Sequence, residues 1–417
     1  MPMISLEEAR ELVCSHVRTM PAQTVDLLDA AGRVSATDLR SDMDVSPFAH
    51  SAMDGFALFS DDVADASASS PVVLDVVGEV PAGSVFDKTL QHGQCVRIMT
   101  GAPTPPEADA VVKYEIVATV EGDGRTGSRV AFSAPAKPGD NVRAAGEEAK
   151  AGEVVVRAGE VIGTAGIGFL AGCGVLEVPV FRRPRVAVIA IGSELVQPPA
   201  IPGPGQIRNS NSYALAACAR AAGCEAHVMP IVLDDEEALE AAVRSAASEY
   251  DFVITSGGAS NGDFDFIKPV VERLGTLLMT TVNMRPGKAQ TFGLVDGTPV
   301  FGLPGNPAAA YVGFELIIRP ALRKMQGFSA LAHPSVFARL TADRKKKDPR
   351  RMFMRATLTK ADDGTLEVTP AKNQSSGLFG VIQKTNCMAV FPEDVTFLEA
   401  GSMIECILLD VPEEVVL

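Results

Sequence analysis

No CxxC pair occurs anywhere in this 417-residue chain. Its seven cysteines (Cys14, Cys95, Cys173, Cys218, Cys224, Cys387 and Cys406) are scattered and odd in number. That pattern argues against a disulfide framework or a zinc cluster and fits a reducing, cytoplasmic compartment. Apolar runs of about 18 residues without a charge or a breaker are also missing, so no membrane span is expected. The opening MPMISLEEARELV carries acids where a secretory signal would carry a basic region and an unbroken apolar stretch. Positive charge is in deficit: 37 Lys+Arg against 52 Asp+Glu leave −15, which excludes nonspecific nucleic-acid binding. A small local anion site is still allowed, because it needs only a few donors. There are no internal repeats and no low-complexity tract. What remains is 47 % hydrophobic and 21 % charged, ample for several cores. The length suggests about two to four domains.

Residues 5–18 read as an amphipathic helix, with Ser5 and Glu8 forming a capping box and Leu6, Ala9, Val13 and Val17 at helical spacing. From about residue 40 to 178, short apolar runs (VVLDVV, CVRIMT, AVVKYEIV, RVAFS, EVVV) alternate with Gly/Pro turns and read as mostly β. Residues 159–176 are glycine-rich but helix-like. The pattern changes at Arg182–Pro184. VAVIAIG (186–192), EAHVMPIVL (225–233), DFVITSGG (251–258) and PVFGLPGN (299–306) read as strands. Between and after them, helices are expected at 211–223, 235–250, 265–275 and from Pro307 to about Met325. This alternation predicts a doubly wound parallel sheet with helices on both faces. The last 90 or so residues return to β hairpins, as in a small barrel or sandwich.

In an open α/β sheet, ligands sit at the carboxyl ends of the strands. Those ends here carry Gly192-Ser193-Glu194, Asp234-Asp235, the run Gly257 to Asp265 (GGASNGDFD), and Pro304-Gly305-Asn306-Pro307. Clustered carboxylates share a hard cation such as Mg²⁺, and glycine turns let backbone N–H groups approach phosphates. Each piece also has an ordinary structural reading. Asp234-Asp235 can be a helix cap, and LPGNP a tight turn with Pro307 opening a helix. Asp54-Gly55 in HSAMDGFAL can be a hairpin turn, and GDNVRAAGEE a turn with solvated acids. His50 reads as a local hydrogen-bonder. The basic run RKKKDPRR (344–351) reads as a solvated hairpin tip, with a phosphate or partner contact as the alternative. The convergence of acids and glycines on one rim points to a phosphorylated ligand plus a metal ion.

Ten motifs stand in one order along the chain: SAMDG, RIMTGAPxP, ADAVV, RxxGEE, GSEL, GQIRNSN, DD after a strand, SGGxSxGxxD, RPGK and LPGNPAAA. In that order they resemble the MoeA family, to which the gephyrin E domain belongs. The resemblance implies a multidomain α/β plus β architecture and an elongated homodimer. Its domains would be an N-terminal dimerisation domain (1–44 with 141–178), a protruding β domain (45–140), a doubly wound molybdopterin-binding domain (179–327) and a C-terminal β-barrel-like domain (328–417). It implies Mg²⁺-dependent insertion of molybdate into adenylylated molybdopterin with release of AMP. The site would lie between the pterin domain of one subunit and the β domains of the other. Position by position, the family's functional residues fall on Asp54, Thr100, Glu148, Glu194, Asp234 and Asp265, of which Glu194, Asp234 and Asp265 would hold the metal. Gly257, Gly258, Ser260, Pro304 and Pro307 would shape the pterin pocket, with Arg285 and Lys288 on its phosphates and Ser376 a candidate oxyanion donor. The resemblance also implies contacts with an adenylyltransferase and apo-molybdoenzymes. The chain departs from the pattern at Thr281, where the family usually has lysine, and at Arg285, Glu148 and Ala289. A pterin carrier without turnover and a tungstate-inserting homologue are the alternatives.

Overall fold

The computed structural model describes residues 1–258 and 266–409, which form two compact units: Met1–Gln23 with Phe181–Leu417, and Thr24–Val180. The expected site residues Ser260 and Asp265 lie outside the described residues.

The first unit contains a six-stranded sheet. Its order is Glu225–Val228, Arg185–Ala190, Phe252–Ser256, Thr298–Leu303, Ala289–Val295, Gly275–Thr281. Alternate residues of each strand face opposite sides. Val186, Val188, Phe252 and Ile254 join one core, and Ala187, Ile189 and Val253 the other. The helices Glu236–Glu249 and Ile267–Leu274 cover the second face through Leu239, Val243, Val270 and Val271. Four strands are parallel, as expected, but the sheet is not wholly so: Ala289–Val295 runs antiparallel to both its neighbours, Thr298–Leu303 and Gly275–Thr281. Short connections force this, since a parallel return needs about a dozen residues or more. Asp296 (φ 49°) and Gly297 (φ 83°) make a two-residue turn between Val295 and Thr298. An Asp-Gly pair favours that hairpin conformation.

The amino-terminal helix is Leu6–Ser15, and both halves of the capping box form: Glu8 N–H to Ser5 Oγ at 3.1 Å and Ser5 N–H to Glu8 Oε2 at 2.7 Å. The helix was expected to pack with 141–178. Instead Leu6, Ala9, Val13 and Val17 enter the core beneath the six-stranded sheet, beside Phe314, Ile317 and Leu322. The helical stretch Pro307–Met325 in that core is α over Pro307–Gly313, π over Phe314–Ile318 and α again over Arg319–Met325. Pro320 has no N–H to give the carbonyl of Leu316. Arg10 Nε donates to that carbonyl at 3.0 Å.

Five strands close the carboxy-terminal barrel: Arg351–Lys360, Leu366–Pro370, Ser335–Leu340, Met403–Leu408 and Cys387–Phe391, the last pairing back onto the first. Met354, Leu358, Val368, Phe391 and Ile404 are among the residues filling it. The pair Met284–Arg285 adds to the barrel in parallel, opposite Arg351 and Met352.

In the second unit a curled six-stranded sheet has the order Ala110–Lys113, Gly55–Leu58, Gln94–Ile98, Val72–Val80, Arg129–Phe132, Val117–Glu121. AVVKYEIV, read as one strand, is two strands broken by a 3₁₀ turn at Tyr114–Ile116. The helix Thr164–Gly172 packs Leu170 against Leu27, Leu39, Val156 and Val178.

Arg10→Ala strands the Leu316 carbonyl. It is expected to cost about 1–2 kcal/mol in denaturant unfolding. Adding Pro320→Ala, which supplies an N–H, should recover part of that loss. Equal losses in the single and double variants would show that the Arg10 bond does not serve the proline.

Candidate active site

The carboxyl ends of the parallel strands open into a cleft of about 1190 Å³. Its floor is built from backbone turns. Gly257 sits at φ 93°, and a Cβ there would lie 2.1 Å from the Ile191 carbonyl oxygen, so only glycine fits. Asp235, not Asp234, caps the following helix, accepting from Ala238 N–H at 2.7 Å. That leaves Asp234 free for the rim. Its Oδ2 accepts from Ser193 N–H at 2.8 Å, and its own N–H donates to Ser193 Oγ at 3.1 Å. Glu194 folds back over Gly192, where a Cβ would meet its carboxylate at 2.4 Å. Pro307 opens its helix, and Ala308 N–H donates to the Ser376 carbonyl at 2.7 Å, bringing 375–377 to the mouth.

The cleft thus gathers Glu194, Asp234, Gly257, Gly258, Arg285, Lys288, Pro304, Pro307 and Ser376, which lie far apart in sequence. Thr281 stands opposite Ala289 at the base of the Arg285 turn, and Ala289 lines the cleft. Among the described residues no group of three or more His, Cys, Asp or Glu side chains is arranged to hold a metal. Glu194 and Asp234 are the two carboxylates on the described lining.

Asp54, Thr100 and Glu148 belong to the second unit. Asp54 does not make a hairpin turn. It lies between His50–Ser51, which pairs with Val142–Arg143, and the strand Gly55–Leu58. Asp54 Oδ1 accepts from both the N–H and the Oγ1 of Thr100, each at 2.7 Å, and these bonds hold its carboxyl below the usual carboxylate range. Three motifs are tied together there by Gly101 N–H to Ser51 O at 2.8 Å, Ala52 N–H to Asn141 O at 2.9 Å and Gly146 N–H to Ser46 O at 2.8 Å. Glu148 is exposed on the third, and Arg143 pairs with Glu147 at 2.8 Å.

The lining also takes in Arg208 of GQIRNSN, Arg350 of the basic run, and Arg355, Gln374 and Ser375, which no motif marked. The run 344–351 is not a solvated tip. Arg344–Lys345 pairs with Phe397–Leu398, and Lys346 is buried against the Phe391 ring with Nζ donating to Arg350 O at 2.7 Å. Asp348 joins Arg285 (3.3 Å) to Arg350, and the Arg350 guanidinium holds the Asp348 carboxyl well below its usual range. Arg355 is the most telling. It is 1 % exposed, its Nη2 donates to Ser375 O at 3.1 Å, and among the described residues its Nε and Nη1 have no partner. Burial pushes its pKa down to about 10, so it stays cationic at neutral pH. The sequence signal was a lone arginine inside the apolar strand MFMRATL. A buried charge without a counterion costs several kcal/mol on the order-of-magnitude scale. A bound anion would offset that cost.

A doubly wound sheet whose strand ends hold glycine turns and acids, beside a barrel strand with a buried arginine, has the arrangement of an α/β enzyme with its cleft at the strand ends. Comparison with known proteins narrows it. Residues 4–174 match the MoeA N-terminal region (domain I and II), 187–324 a probable molybdopterin binding domain, and 338–409 the MoeA C-terminal region (domain IV). The chain is 36 % identical over 411 residues to a molybdopterin molybdenumtransferase of Staphylococcus epidermidis, covering 98 % of this chain and 96 % of the relative. With one from Staphylococcus aureus it is 37 % identical over 408 residues, at the same coverage. A crystal structure of a molybdopterin biosynthesis MoeA protein from Pyrococcus horikoshii superposes with TM-score 0.82 at 33 % identity, covering 98 % of this chain and 99 % of that one. A second from that organism gives 0.83 at 27 %, with 98 % and 100 % covered. The chain belongs to the MoeA family of molybdopterin molybdenumtransferases, transferases of molybdenum cofactor biosynthesis.

Thr100→Val removes one of the two bonds that lower the Asp54 pKa. The Asp54 titration, followed by carboxyl NMR, should move to higher pH; an unmoved curve would mean that the hydroxyl contributes nothing. Arg355→Met is expected to raise the stability of the ligand-free protein by about 1–3 kcal/mol while weakening anion binding. The destabilisation it relieves is present in full below about pH 10, so the gain should appear across neutral pH. Loss of stability together with unchanged binding of inorganic pyrophosphate would refute the anion role.

Proposed function

We propose that this enzyme inserts molybdate into adenylylated molybdopterin and releases AMP in a Mg²⁺-dependent step. The single observation that carries the reading is Arg355, a buried guanidinium in the lining of the cleft with two nitrogens that have no partner among the described residues. Arg208, Arg285, Lys288, Arg350 and Arg355 put five cationic side chains on the described lining against two carboxylates, so the cleft is electropositive inside an acidic protein.

Within it, Arg350 and Arg355 offer planar donors to phosphate or molybdate oxygens, and Lys288 a point charge. Ser376 adds a hydroxyl. Gly257, Gly258, Pro304 and Pro307 keep the backbone close to the pterin phosphate. Glu194 and Asp234 are hard oxygen donors at one rim, and with phosphate oxygens they suit Mg²⁺, which commonly takes one or two carboxylates plus substrate phosphates. Bound there, the ion would neutralise charge building on the phosphoanhydride as AMP leaves. Asp234 is held in place for this by its reciprocal bonds with Ser193. The Asp54–Thr100 pair, kept ionised by its hydrogen bonds, is assigned to the same reaction with Glu148, as are Ser260 and Asp265. A homodimer and a cytoplasmic location belong to the proposal. Among the described residues no helix is long and apolar enough to cross a membrane.

Full-length protein supplied with adenylylated molybdopterin, Mg²⁺ and molybdate should release AMP and yield cofactor that activates an apo-molybdoenzyme. Replacing Asp234 by Asn should slow AMP release by about 10²-fold or more. Pterin retained without AMP release would favour a carrier, the reading that Thr281 raises. Competition between molybdate and tungstate decides the metal.

A further inference from the structure

A single acid, Asp348, stands inside the basic run RKKKDPRR (344–351). Its side chain is 13 % exposed, and the described lining of the cleft includes Arg285 and Arg350 but not Asp348. An acid behind a wall of cations weakens the wall's hold on an anion if charge is all that counts. The way its two oxygens are spent points to a different role.

Oδ1 accepts from Arg350 N–H at 3.0 Å and from Arg350 Nε at 2.8 Å. Oδ2 accepts from Arg350 Nη2 and from Arg285 Nη1, the latter at 3.3 Å. One oxygen thus joins two guanidinium groups that lie far apart in sequence. Arg350 is fixed further, because its Nη1 donates to the Met284 carbonyl at 3.3 Å and its own carbonyl accepts from the buried Lys346 Nζ at 2.7 Å. The Arg285 backbone is fixed by its parallel pairing with Met352. Its half-exposed guanidinium has Asp348 as its one hydrogen-bond partner among the described residues, so most of its N–H groups are unspent. Arginine rather than lysine matters at this position. A lysine would bring one compact ammonium on a flexible stem, to pair with Asp348 or with a ligand. The planar guanidinium can do both at once.

We propose that Asp348 is a positioning residue that, through Oδ2, sets Arg285 and Arg350 as one two-armed clamp on neighbouring phosphate oxygens of the ligand. The inference rests on the proposed function, in which the ligand is phosphorylated. It gives the basic run a place in the site and gives a reason for the arginine at 285, since the same carboxylate that draws off part of its charge also aims it. Asp348 itself touches no reacting atom.

The test is calorimetric titration of the full-length protein with inorganic pyrophosphate, for the wild type, Asp348→Asn, Arg285→Lys and the double variant. Asp348→Asn keeps an oxygen for Arg350 N–H and Nε but places an amide nitrogen where Oδ2 joined the two arginines. It also removes a negative charge, so charge alone predicts binding tighter by about two- to tenfold. Positioning predicts the opposite sign, with affinity about fivefold weaker or more. Arg285→Lys preserves the charge and should weaken binding by a similar factor. In the Asp348→Asn background the same change should cost less than about twofold, because the clamp is already undone. A lower urea midpoint in Asp348→Asn with unchanged or tighter pyrophosphate binding would leave Asp348 a support of the fold only and overturn the proposal. Additive costs in the double variant, or no pyrophosphate binding by the wild type, would overturn it as well. Should Asp348→Asn not fold, Arg285→Lys decides: weaker binding supports the clamp, and wild-type affinity refutes it. AMP release by the wild type is measured separately, so failure of the clamp and failure of the proposed reaction are told apart.

Discussion

The cleft lies where the barrel joins the sheet, and there two residues, Met284 and Arg285, pair with a strand of the barrel. They lie in the turn between the antiparallel strands Gly275–Thr281 and Ala289–Val295, and they hydrogen-bond in parallel to Arg351 and Met352. Asp348 reinforces the seam by bonding Arg285 from one side and Arg350 from the other. Gln290 braces the turn from beneath, its Nε2 donating to Gly287 O at 2.8 Å. The seam sets Arg350 and Arg355 of the barrel beside the sheet's strand ends on one lining.

Electrostatics then follow from burial. The protein is acidic overall, yet the described lining of its cleft carries five cationic side chains against two carboxylates, and one of the five is buried with no carboxylate partner among the described residues. Such a charge works against stability in the empty protein. The cations of the RPGK turn are treated differently. Arg285 is half exposed and already engaged by Asp348, so it is neutralised in part before any ligand arrives. The departure from the family's usual lysine thus carries its charge into the seam. Arg355, deeper and unpaired, is the stronger anion donor.

Much of this was legible in the chain. Ser5 and Glu8 announced a capped helix, and VAVIAIG and DFVITSGG announced buried parallel strands, because both signals are local. The rim acids and glycines were legible for the same reason, since strand ends are punctuated by glycine and Asp. Other features misled. Asp234-Asp235 looked like one cap but divides into a cap and a lining acid. The run 344–351 looked like a solvated tip, yet Lys346 lies under Phe391 and Arg350 reaches the cleft. Asp296-Gly297 is a local hairpin signal, and the turn it makes sets Ala289–Val295 antiparallel to Thr298–Leu303.

The sequence by itself determined the family, the alternation of strands and helices, and which loops carry acids and glycines. Those properties depend on spacing along the chain and on residue type. Tertiary structure alone decided where the first helix packs, because its apolar face meets Phe314, Ile317 and Leu322, about 300 residues away in sequence. It alone decided which arginines are paired and which buried polar atoms, among the described residues, lack a partner. Satisfaction of a donor or an acceptor is set by what the fold brings within about 3 Å of it, and no local pattern records that.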